Sequence, residues 1–121
     1  MTGRELTAGL LVAATVFAPL VAAARDRSPS EILKNPDRFN EQSVVIAGTV
    51  SNVREQTPQR GRPYFIFDLD DGLRSLSVVQ FGAAACGAGA QAIVEGQFLK
   101  LRKQGEETFR NQVRAYRVTC R

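Results

Sequence analysis

Three aspartates crowd one short stretch of the sequence, Asp68, Asp70 and Asp71. Carboxylates that close together have the chemistry to hold a calcium ion or to act as an acid–base pair. Asp71 is followed by Gly72, however, a strong two-residue turn signal, and Asp68 and Asp70 alternate with core-type residues as strand positions do. Turn chemistry explains the cluster better than either site. The sequence has no histidine, which removes Ser–His and Cys–His nucleophiles and imidazole metal sites, and two isolated cysteines cannot build a structural zinc centre. The expectation is a non-enzymatic protein without a metal or cofactor.

The remaining chemistry is cationic. Sixteen lysines and arginines stand against 12 aspartates and glutamates, for a net charge of +4. That balance favours phosphate, nucleic acid or an anionic surface as partner, although solvated surface cations give the same number. Two groups of cations stand out: Arg54, Arg60 and Arg62 in one polar stretch, and Lys100, Arg102 and Lys103 in another.

The start of the chain bears on where such a partner would be met. Residues 1–5 are short and polar, residues 6–24 carry no charge, Pro19 interrupts the apolar run late, and Ala22-Ala23-Ala24 supplies the small residues a signal peptidase reads. This is the layout of a secretory signal peptide over residues 1–24, cleaved after Ala24. The competing reading is an uncleaved anchor, since the run approaches the ~20 residues that span a bilayer; after cleavage no membrane span is left. Arg4 and Glu5 leave together, so the net charge is unchanged, and the product is periplasmic or secreted. In that compartment the even pair Cys86 and Cys120 is read first as a disulfide. Two buried thiols or a redox pair are the alternatives, with neither a Cys-x-x-Cys spacing nor a nearby basic side chain to mark a reactive sulfur.

The elements that position these groups follow from local pattern. Ser28-Pro29-Ser30-Glu31 is a helix start, with a capping hydroxyl, proline at the first helical position and a carboxylate three residues after the cap. Asn35-Pro36 limits that helix to about two turns. Residues 25–42 thus form an N-terminal segment with a short helix, and residues 43–121 a β domain. A first strand runs through Val44-Val45-Ile46-Ala47-Gly48-Thr49-Val50, where Gly48 suggests a bulge or sharp bend. Residues 54–63 read as a loop. Residues 64–70 and 73–81 form a hairpin around Asp71-Gly72, a register that sets Phe67 opposite Leu76 and Phe65 opposite Val78 on a core face. Tyr64, Ile66, Val79 and Phe81 then share the other face as an apolar stripe. Residues 82–91 read as a short helix or loop, and two further strands cover residues 92–103 and 108–120.

A long glycine-bent first strand, a tight hairpin, an alanine-rich insert and a second hairpin, in that order, resemble the OB-fold superfamily in its nucleic-acid-binding, anticodon-binding-like type. The residues that carry the resemblance are Val45 to Val50, Tyr64-Phe65-Ile66-Phe67-Asp68-Leu69-Asp70-Asp71-Gly72, Ser77-Val78-Val79-Gln80-Phe81 and Ile93-Val94-Glu95-Gly96-Gln97-Phe98. It implies an all-β fold, a small five-stranded Greek-key OB-fold barrel with a short N-terminal helix and a short helix or loop between strands 3 and 4; an SH3-like barrel is the rival architecture. It implies that strands 3 and 5 lie side by side, which brings Cys86 and Cys120 to one rim. It also implies a ligand across strands 2 and 3, flanked by two loops. The corresponding residues here are Arg54, Arg60, Arg62, Tyr64, Ile66, Val79, Phe81, Lys100, Arg102 and Lys103. Aromatics flanked by cations suit stacked bases along a phosphate backbone. The competing reading covers the stripe with the N-terminal helix. Exported relatives that handle haem depend on a histidine missing here, so no haem is expected. The functional expectation is a periplasmic binding module for single-stranded nucleic acid or another polyanion. The alternative is a structural or stress-related cell-envelope domain whose stripe docks an envelope protein.

Overall fold

The computed structural model describes residues 26–121, and the signal peptide expected over residues 1–24 lies outside them. Ser28 caps helix α1 (Pro29–Lys34) through its hydroxyl, which accepts the Glu31 N–H at 3.2 Å. Pro29 sits at the first helical position, where no N–H is needed. The chain then breaks at Asn35 and makes one more turn, α2 (Pro36–Phe39). Both turns exist because each has something to bury: Ile32 and Phe39 enter the main core.

Five strands follow: β1 (Ser43–Gln56), β2 (Tyr64–Asp70), β3 (Ser75–Phe81), β4 (Gln91–Gln104) and β5 (Glu107–Cys120). They close in the order β1-β2-β3-β5-β4. All neighbouring pairs are antiparallel except β3 and β5, whose parallel pairing completes the ring. The protein is a small all-β, OB-like five-stranded barrel, and residues 82–90 form a loop, not a helix.

Closure depends on β1 serving two partners. Residues 43–49 pair with β4, and from Thr49 onward the strand pairs with β2. Gly48 lies at the changeover, where a Cβ would stand 2.9 Å from both the Asp70 carbonyl oxygen and the Leu69 side chain. Glycine is needed for that close crossing. The irregularity in pairing falls further on, between Ser51 and Arg54, where Asn52 adopts a left-handed φ of 54°. The strand outlasts its expected end, so Arg54 lies on β1 opposite Ile66 and not in a loop.

The β2–β3 hairpin keeps its expected alternation but not its expected register, and Phe65, expected on the core face, is only half-buried, lies outside the main core and pairs with Gln80. Residues 71–74 all belong to the connection, because Asp71 closes it by accepting the N–H groups of Leu73 and Arg74, each at 2.9 Å. Phe67 therefore faces Val78, Leu69 faces Leu76 and Tyr64 faces Phe81, two residues out from the two-residue turn. A shift of two preserves the alternation of a strand, whereas a shift of one would have inverted it. Phe67, Leu69, Leu76 and Val78 accordingly enter the barrel interior with Phe98 and Val113. Tyr64, Ile66 and Val79 form a second, outer cluster with Phe81 and Phe109 packed against it.

The loop of residues 82–90 is tied to the end of β5 by a disulfide between Cys86 and Cys120, with Cα atoms 5.7 Å apart. The three aspartates serve the turn and its neighbours. Asp70 accepts the Gly72 N–H at 2.7 Å, Asp68 accepts from Asn52 at 3.2 Å, and Asp71 reaches across to the Ser30 N–H at 2.9 Å, fastening α1 to the hairpin. Among the described residues, no helix is long and apolar enough to cross a membrane.

Candidate anion-binding cleft

The outer cluster is where sequence and structure part. Tyr64 is 4% exposed, Ile66 5% and Val79 0%, so the apolar stripe is not an open platform. Its cover is the far half of the β4–β5 hairpin, which lays Phe109 on the stripe. The N-terminal helix expected as the competing cover instead plugs the barrel interior with Ile32. Burial leaves little of Tyr64, Ile66 and Val79 at the surface, although Tyr64 still edges a hollow beside Arg60 and Gln104.

The same hairpin delivers Arg102 to this face. Its guanidinium lies 4.7 Å from the centre of the Phe109 ring, and its Nε donates to Gln112 Oε1 at 2.5 Å. Gln112 is itself fully buried and donates to Ser77 Oγ at 3.0 Å, so β3, β4 and β5 are joined by one polar chain. Arg102 Nη1 donates to Gln104 Oε1 at 2.6 Å. Nη2 has no partner, although Arg102 is only 8% exposed. Burial pulls this guanidinium below its ordinary value; Tyr64 and Glu107 act against that pull, and nearby Arg114 adds to it. Arginine nonetheless stays charged in proteins, so Arg102 is a desolvated cation whose Nη2 is buried without a partner.

Around it lies an open cleft of about 350 Å³. Arg60 and Arg62 enter from the β1–β2 loop, Lys103 and Gln104 from the end of β4, Phe81 from the end of β3, and Arg114 from β5. Five cations line the cleft and no carboxylate does. Among the described residues none of the five forms an ion pair; the recorded pairs join Arg27 to Glu31, Lys100 to Asp37 and Arg117 to Glu95. Glu106 and Glu107 line a neighbouring hollow with Gln104 and Arg60. Arg62 stacks over the Phe81 ring at 4.7 Å, and Tyr64 leans on that ring with centroids 5.8 Å apart.

Of the residues expected at a ligand site, the structure brings together Arg60, Arg62, Phe81, Arg102 and Lys103. Arg54 does not line the cleft and donates to the Asn52 carbonyl at 2.7 Å. Lys100 is likewise outside the cleft, paired with Asp37, because it projects beside the α2 turn. Arg114 and Gln112 went unexpected. The signal for Arg114 was present: it alternates with core Val113, and the side-by-side arrangement of strands 3 and 5 sets it opposite Val79. Gln112, a polar residue buried to anchor another, left no such signal.

A five-strand barrel closed by parallel β3 and β5, carrying a carboxylate-free cationic cleft between its first loop and its last hairpin, defines an OB-like domain with a surface suited to anions. The comparisons agree at the level of fold. The chain is similar to a solved structure assigned as an aspartyl-tRNA synthetase from Leishmania major Friedlin, with a TM-score of 0.59 and 16% identity, covering 79% of this chain and 20% of that one. It thus spans about a fifth of that protein's length. No family model matches the sequence, and no curated protein matches it.

Proposed function

We propose that this protein is a non-enzymatic, exported binding module of the OB-fold type whose cleft takes a polyanion, single-stranded nucleic acid among the ligands. The observation that carries the reading is the cleft lining: Arg60, Arg62, Arg102, Lys103 and Arg114 stand together with no carboxylate among them, and none of the five forms an ion pair among the described residues. The likeness to a chain assigned as an aspartyl-tRNA synthetase supports nucleic acid as one such anion. The disulfide is compatible with an oxidising compartment, and with the leader pattern it supports export to the periplasm or beyond.

Binding of a fluorescent thymidine oligonucleotide, titrated over a range of salt concentrations, tests the reading. Each phosphate neutralised on a single strand contributes about −0.7 to the slope of log K against log salt. Engagement of the whole cleft gives a slope of about −3.5, and Arg114→Gln, at an exposed position, reduces it by about 0.7. No binding at low salt would sink the polyanion reading.

A further inference from the structure

Resting on that reading, we infer that the cleft recognises phosphate groups and is blind to bases: its ligand is a run of closely spaced phosphates, presented by a nucleic-acid backbone or by a polyphosphate chain. Base recognition on single strands needs an accessible aromatic face for stacking. Each aromatic at this site is already committed. Tyr64 is buried in the outer cluster, and the 4% of it still exposed edges the neighbouring hollow that Glu106 and Glu107 line. Phe109, half-buried, packs on the outer cluster and carries the Arg102 guanidinium over its ring. Phe81 has Arg62 over one face and Tyr64 tilted against it. Tyr116 is well exposed but does not line the cleft.

What the cleft offers instead is a spread of donors with no carboxylate in its own lining, Glu106 and Glu107 standing in the adjacent hollow. Arg102 adds its charge to the wall of the cleft, with Nε held by Gln112, Nη1 by Gln104, and Nη2 buried. Arg60, Arg62, Lys103 and Arg114 are exposed around it and are free to meet neighbouring oxyanions. A site of this kind measures charge spacing and not base identity. Phe81 acts as a positioning residue, holding Arg62 over the cleft by a cation–π contact.

The experiment compares, on the mature protein, a thymidine oligonucleotide, an abasic strand with the same number of phosphates, and tripolyphosphate as competitor. The abasic strand should bind within about twofold of the thymidine strand, because a single stacked base is worth about fivefold or more. Phe81→Ala should weaken both strands by the same factor, as expected when it acts through Arg62; a loss confined to the thymidine strand would show that it stacks bases and overturn the inference. Displacement of both strands by tripolyphosphate assigns the site to phosphate irrespective of sugar, and displacement by the abasic strand alone assigns it to the nucleic-acid backbone. An abasic strand weaker by fivefold or more, with Arg114→Gln still lowering thymidine binding, overturns base-blindness while the polyanion cleft stands. If no strand binds at low salt and Arg114→Gln changes nothing, the cleft itself is wrong.

Discussion

Reduction of the Cys86–Cys120 bond should unfold this protein far below the temperature at which the oxidised form melts. The bond closes a loop across a sequence separation of 34 residues. In the chain-entropy treatment a loop of that length stabilises the folded state by about 4 kcal/mol, through restriction of the unfolded chain. For a domain of this size each kcal/mol moves the midpoint by about 4–8 °C, so reduction should lower it by about 15–30 °C. The structure says where the effect begins. Cys86 is the buried anchor of residues 82–90, a loop with almost no other buried side chain, while Cys120 ends β5 opposite Ala92. Thermal melts followed by far-ultraviolet circular dichroism, with and without reductant, measure the size. Limited proteolysis of the reduced form below its midpoint should cut first within residues 82–90. A reduced midpoint within about 5 °C of the oxidised one, without new cleavage in that loop, would refute the reasoning: the loop would then be held by its packing, and the bond would say nothing about the compartment in which the protein folds.

Tyr64→Ala should destabilise the fold by about 3 kcal/mol, as for other large buried aromatics, measured by urea denaturation; a loss below about 1 kcal/mol would mean that the β4–β5 hairpin does not cover the stripe as described. Asp71→Asn should show a pH-dependent cost. Burial pushes the Asp71 carboxyl up, but the N–H groups of Arg74, Leu73 and Ser30 outweigh it and hold the group well below the usual carboxylate range. The stability it contributes is therefore complete above the unfolded value of about 3.9 and disappears as pH falls through the lower folded value. Unfolding free energies from urea denaturation should separate wild type from variant by about 1–2 kcal/mol at neutral pH, with the gap narrowing below about pH 4; a gap that widens on acidification would reverse the sign of the argument.

The two views of the β2–β3 hairpin show which features of this fold are local. Alternation of apolar and polar residues over Tyr64 to Phe81 is a property of the strand itself, so the core face and the outer face were legible without knowing the turn. The register was not, because Asp71 can end a two-residue turn or organise a four-residue one, and the choice depends on where its carboxylate finds donors. It finds Leu73 and Arg74 within the turn, and Ser30 on α1, 41 residues away. The helix start at Ser28 was legible for the opposite reason: its cap bonds only three residues ahead.

The cleft follows the same division. Arg60 and Arg62 lie in the β1–β2 loop and Lys103 near the end of β4, where polarity marks them, and the resemblance to OB barrels was enough to bring those two places together. What it could not supply was the path of the β4–β5 hairpin beyond Leu99, where Asn111 takes a left-handed φ of 51° within β5 and the hairpin comes to lie over the stripe. That one long-range event buries Tyr64, Ile66 and Val79, desolvates Arg102 and recruits Gln112 to hold it. An open stripe flanked by cations would present faces for stacking, whereas the covered stripe leaves the cations of the cleft as the exposed polar groups of this face. What the face presents therefore turns on how the hairpin lies, a property of the tertiary fold that no window of the sequence contains.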